Sequence, residues 1–181
     1  MKEIKTFSAI VIVSAIISMF SLSANAQETP KLDDAEIASA AVVANQNDID
    51  FAKIAKQKSK NAEVLKFAET MAKDHQAVID QAVALVTKLK VTPKDNALSE
   101  KLKDDAAKTQ KSLKAKSGKS FDEAYINNEV GYHKAVISAV ETVLIPQANN
   151  AELKGLLQNV VPALQAHLEH AEMVQKTFAS R

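Results

Sequence analysis

The sequence predicts an all-α protein, a four-helix bundle whose middle connection is long and carries a short helix of its own. Three observations predict it. Of 181 residues, 46% are hydrophobic but only 4% aromatic, with 3 glycines and 4 prolines, and Ala, Lys, Leu, Val and Glu dominate. This is a helical composition. Apolar residues recur by threes and fours, without the alternation of strands. Capping residues and helix breakers then divide the chain into segments of bundle length.

At the amino terminus, Lys2 and Lys5 precede an apolar run from Phe7 to about Leu22, followed by Ala24-Asn25-Ala26. The run is short for a membrane span, and the small-x-small exit marks a secretory signal peptide over residues 1–26, cleaved before Gln27. No cysteine follows it, so lipid attachment has no acceptor. A linker over residues 27–32 and one domain over 33–179 complete the organisation. The mature form is expected to be exported, to the periplasm or outside the cell, and not to span a membrane. Without Lys2, Glu3 and Lys5, the 23 basic and 22 acidic residues become 21 of each. That balance and the few aromatics argue against nucleic acid as a partner. With no cysteine there are no disulfides and no thiolate ligands.

Asp33 and Asp34 can cap a first helix running to about Ser59, and Asn61 a second running to about Lys90. Val91-Thr92-Pro93 breaks the pattern. Residues 97 to 115 carry a narrow stripe, Leu98, Leu102, Ala106 and Leu113, among many lysines, which predicts a short surface helix closed by Gly118. Ser120 with Glu123 reads as a capping box for a long helix ending near Pro146. Asn149 or Asn150 opens the last helix, to about Ala179. Two hairpins joined by a long crossover have ferritin-like connectivity.

The core seams, stepped by three and four, carry polar members. The first helix reads Ile37, Ala41, Ala44, Asp48, Phe51, Ala55. The second reads Val64, Ala68, Met71, His75, Val78, Ala82, Leu85, Leu89. Ile126, Glu129, His133, Val136, Val140 and Val143 follow on the next. The last gives Leu153, Leu156, Val160, Ala163, His167, Ala171, Val174 and Phe178. At 1.5 Å per residue, Asp48 and His75 lie about 18 and 22 Å from the first hairpin turn, and His133 and His167 about 24 and 27 Å from the second. One layer can therefore hold all four.

An unpaired buried histidine costs several kcal/mol, so three in one layer need an organising partner. A transition metal is one: imidazoles of His75, His133 and His167, with Asp48 or Glu129 as carboxylate ligand, suit zinc, copper, iron or manganese. A hydrogen-bonded histidine–carboxylate network that fixes helix register is the other. His170, one turn past His167, is a fourth nitrogen ligand or an edge residue, and the edge fits the stripe better. Asp74 points about 100° away from His75 around the helix and fits a supporting or surface role. Pro162 removes a bond to the carbonyl of Gln158 and should bend the last helix. Gly131 suggests close packing two residues before His133.

Phe67-Ala68, Met71, Asp74-His75, Gly118, Phe121-Asp122, Tyr125, His133, Pro162, His167-Leu168 and Ala171 occur in an order and spacing that closely resembles an exported bacterial family of ferritin-like domains. It is catalogued as a domain of unknown function, number four-one-four-two, and often labelled as membrane proteins. The resemblance covers residues 33 to 178 and implies the ferritin-like fold and an envelope location, with no activity to transfer. Two departures stand out. Asp48 replaces the glutamate usual on the first helix, and Tyr132 the acidic residue usual before His133, a smaller loss if that position faces outward.

Carboxylate-bridged di-iron chemistry is disfavoured, because its Glu-x-x-His motifs are missing: Ala72, Val130 and Leu164 stand three residues before the histidines. No nucleophile–base pair or phosphate loop suggests an enzyme. A metal-binding envelope protein and a structural or interaction bundle remain ahead of a metal-dependent enzyme. The lysine-rich stretch Lys101–Lys119, broken by Asp104 and Asp105, reads as a solvated face. Self-association is not legible.

Overall fold

A computed structural model describes residues 31–179. The expected signal peptide and most of the linker, to residue 30, lie outside the described residues. The order is α1 (Asp34–Lys58), α2 (Ala62–Leu89), α3 (Ala97–Lys114), α4 (Gly118–Ala139), a π-helical turn (Val140–Leu144), α5 (Ile145–Gln147) and α6 (Ala151–Ala179). This is the all-α, ferritin-like four-helix bundle with a helix in its crossover. Among the described residues no helix is long and apolar enough to cross a membrane.

Local chemistry sets the boundaries. Asp33 closes a capping box with Glu36 at the start of α1, and Asn61 accepts from the amides of Glu63 and Val64. Asn150 does the same for Glu152 and Leu153. The start of α4 differs from expectation. Gly118 takes a left-handed φ of 55° and opens α4, whereas α3 ends at Lys114 with Ala115 as its cap; Ser120 is no cap, its hydroxyl donating to the carbonyl of Ser117. A glycine there lets the chain turn into the helix three residues earlier than a capping box at Ser120 allows. At the other end, Pro146 has no N–H for the carbonyl of Thr142. The ladder slips to an i→i+5 bond from Ile145 to Val140, and the helix continues to Gln147.

The crossover helix runs parallel to α1, held by Ser39–Asp95 (3.0 Å), Asn47–Leu102 carbonyl (3.0 Å) and Lys58–Lys114 carbonyl (2.6 Å). It thereby covers a second face of α1, where Ala38, Ala40, Asn47, Ile49, Ala52 and Ile54 are buried besides the expected seam. Its own stripe is turned inward as expected, with Ala106 and Leu113 buried. In the first half of α6 the predicted seam is one residue out: Leu157 and Leu164 are buried, whereas Ala163 is exposed and Leu156 and Val160 are half-buried. A step of four, not three, follows Leu153, the two seams meet again at His167, and Pro162 stands within the helix.

The core has two lobes. One holds Phe51, Val64, Phe67, Met71, Phe121, Tyr125 and Ile126 at the α1–α2 turn. The other gathers Leu32, Ile37, Val140, Leu144, Leu153, Leu157 and Leu164 at the opposite end. The polar layer lies between them. Gly131 is not a packing glycine: it is exposed, and a Cβ there meets nothing within 4 Å. Gly131→Ala is therefore expected to stabilise the protein by about 0.5–1 kcal/mol, through helix propensity and a less free unfolded chain. Thermal unfolding checks this; a midpoint unchanged or lowered would mean the residue has another role.

Candidate metal centre

Four helices each send one polar side chain into the layer between the lobes. Asp48 on α1, His75 on α2 and His133 on α4 are buried, and so is His167 on α6 at 7% exposure. The three imidazoles form a near-equilateral triangle, with centroids 5.7, 5.2 and 5.6 Å apart for His75–His133, His75–His167 and His133–His167. One ring nitrogen from each lies within 4.8 Å of the others.

Each ring is held from outside the triangle, and that fixes its tautomer. The Asn45 amide nitrogen donates to the carbonyl of Ala41 (2.8 Å), which turns its oxygen to accept from Nδ1–H of His75 at 2.7 Å. His133 donates through Nδ1 to the main-chain carbonyl of Glu129 at 2.9 Å. His167 donates through Nε2 to Asp74 at 3.1 Å. The remaining nitrogens, Nε2 of His75, Nε2 of His133 and Nδ1 of His167, keep their lone pairs and make no hydrogen bond. Asn45, Asp74 and a carbonyl thus occupy the places from which outer partners orient histidine ligands in known metal sites.

The carboxylates occupy two depths. Asp48 Oδ2 stands 3.4 Å from His75 Nε2 and 3.6 Å from His133 Nε2. Glu129 lies behind it, its Oε2 3.7 Å from Nδ1 of His133, and Asp48, Glu129 and His133 form a second close group. Burial raises Asp48 to about 7, against the pull of its hydrogen bond with Glu129. Burial, and next the charge of Asp48, raise Glu129 well above the carboxylate range. The pair therefore shares a proton, with Glu129 the better holder. Burial lowers His75 to about 3, helped by His133 and His167. His133 falls to about 4, again from burial. Both rings are neutral near pH 7, the form in which imidazole ligates.

The other expected residues fall outside this group. His170 is half-buried and meets Phe67 edge-on at 5.1 Å, away from the triangle. Asp74 serves as a support, as its position around the helix implied. Tyr132 does not face outward: its hydroxyl donates to the carbonyl of Ala44 at 2.8 Å and its ring meets Phe51 edge-on at 5.5 Å. It pins α4 to α1 one residue from His133. Sequence reasoning missed Asn45. The signal was present, since Asn45 lies one turn before Asp48 and Ala41 one turn before Asn45, but nothing in a single helix says which neighbour it meets.

No curated protein matches the sequence. A solved structure, CopM in the Cu(II)-bound form, is similar with a TM-score of 0.64 at 15% identity, over 82% of this chain and 99% of that one. At that identity the likeness is one of fold. The order of motifs around the three histidines and the bundle that carries them agree with the family match over residues 20–174: the chain belongs to the family described as Domain of unknown function (DUF4142).

Proposed function

We propose that the protein binds one transition metal ion through Nε2 of His75, Nε2 of His133, Nδ1 of His167 and a carboxylate oxygen of Asp48, and that it does so after export. The observation that carries this is the set of orphaned lone pairs. Three buried ring nitrogens aimed at one another, each ring tied down behind, are costly without a cation between them. Nitrogens on one ion at 2.0–2.1 Å lie at most about 4.2 Å apart, so small ring rotations close the observed span.

Three nitrogens and one oxygen, with no sulfur, suit Cu(II) and Zn(II) ahead of iron and manganese, and Cu(II) stands first in the general order of affinity. The Cu(II) held by the similarly folded CopM supports the same choice. Glu129 serves as a positioning group that keeps the shared proton and turns Asp48 toward the ion. Elemental analysis of protein purified without a polyhistidine tag, from its native compartment, tests the proposal. One equivalent of metal is expected. Metal-free protein that takes up none on titration would leave a hydrogen-bonded bundle with a structural or interaction role.

Two further results are expected. Asp74→Asn weakens binding about 10–100-fold, because His167 loses the charged acceptor that orients it and raises its basicity. Asp48 carries a proton below about pH 7, and the ion must displace it. Its share of the pH dependence is thus a tenfold fall in affinity for each unit below 7. Competition titrations at pH 5, 6 and 7 should show a slope about one proton shallower in Asp48→Asn, and equal slopes would remove Asp48 from the ligand set.

A further inference from the structure

The two lobes of the core are unequally filled. Aromatic rings pack the lobe at the α1–α2 turn, but in the other lobe small residues leave the centre open. A cavity of about 580 Å³ results, walled by such residues as Ala41, Val78, Ala82, Val136, Val160 and Leu164. That is the size of a small-molecule site. Its polar end is the histidine layer: Asp48, His75, His133 and His167 all line it, while Glu129 and Tyr125 lie beyond its wall. Among the described residues, the buried polar atoms on the wall that lack a partner all belong to those four. Asn45 and Tyr132, which also line it, are already engaged. Ala77 and Gln81 on α2 and Ala163 on α6 line the cavity and are exposed, so it reaches solvent beside those helices.

We propose that this cavity binds a medium-chain aliphatic carboxylate, its chain along the apolar wall and its carboxylate on the metal ion at the histidine layer. The inference rests on the metal reading above. Apolar voids are poor hosts for water and accept apolar molecules. The wall offers no charged partner for a head group away from the histidine layer except Lys101 and Asp105, which pair with each other. Three neutral imidazoles and one carboxylate leave a divalent ion with net positive charge, which selects an anionic head over an alcohol or amine. With four protein ligands in place the carboxylate enters as a fifth, an expansion that zinc centres can make.

Calorimetric titration of decanoate into the metal-loaded and the metal-free protein tests it, with Cu(II) or Zn(II) content measured in the same samples. Saturable one-to-one binding is expected, at least tenfold tighter with metal. Ala163→Trp, at an exposed position that leaves the core untouched, should weaken decanoate at least tenfold while metal content and unfolding midpoint stay the same. Ala82→Leu, on the wall, should weaken it too. A protein that holds metal and ignores decanoate overturns this inference alone. Equal binding with and without metal overturns the placement of the carboxylate, and failure to take up any metal overturns both readings.

Discussion

His133→Ala is expected to abolish the stoichiometric metal proposed for the purified protein while the bundle remains folded. His133 is the most central of the three histidines, 1% exposed, and its lone pair faces both His75 and Asp48. No other imidazole can replace it, because His170, the fourth histidine, meets the Phe67 ring instead and is not grouped with the triangle. Losing a direct ligand costs more than the 10–100-fold expected for a supporting residue such as Asp74. His170→Ala is the matched control and keeps its metal. Metal content by elemental analysis, with helical content by circular dichroism, decides the matter. Metal retained at full occupancy in His133→Ala would place the ion elsewhere.

Removal of the proposed metal by a chelator is expected to lower the thermal midpoint by about 8–16 °C. An ion that binds only the folded chain, present at about a thousand times its dissociation constant, contributes about 4 kcal/mol, and a domain of this size moves about 2–4 °C per kcal/mol. The loss is large because what remains is a layer of unpaired ring nitrogens, Nε2 of His75 and His133 and Nδ1 of His167, around the Asp48 carboxyl. In His133→Ala the chelator should have no effect. An unshifted midpoint in the native sequence would instead mean that the layer is satisfied without a cation.

Much of the fold was legible because it follows from local chemistry. Asp33, Asn61 and Asn150 cap helices where capping residues stand before apolar periodicity, and the seam of α2 from Val64 to Leu89 needs only a period near 3.5 to be found. The long connection implied the crossover. The convergence of His75, His133 and His167 was legible too, because matching distances from the hairpin turns place them at one level. What failed depended on more than one helix or on backbone torsions. Gly118 reads as a stop yet works as a start, since its positive φ is a property of the turn it makes. The second buried face of α1 is created by α3 and has no period of its own. The register of α6 before His167 was out by one residue, because Leu156 and Leu157 are equally apolar and only the neighbouring helix chooses between them. Asn45, the support of His75, is silent in the sequence for the same reason.

The first described residues latch the far end of the bundle. Leu32 is buried with Val140, Leu144 and Leu153, its N–H reaching the Gln147 side chain at 2.7 Å, and both oxygens of Asp34 accept from the amides of Asn149 and Asn150. Proteolytic trimming or a truncated expression design that begins beyond Asp34 would therefore unfasten the α5–α6 corner, so a fusion partner or affinity handle at this end must join ahead of Leu32.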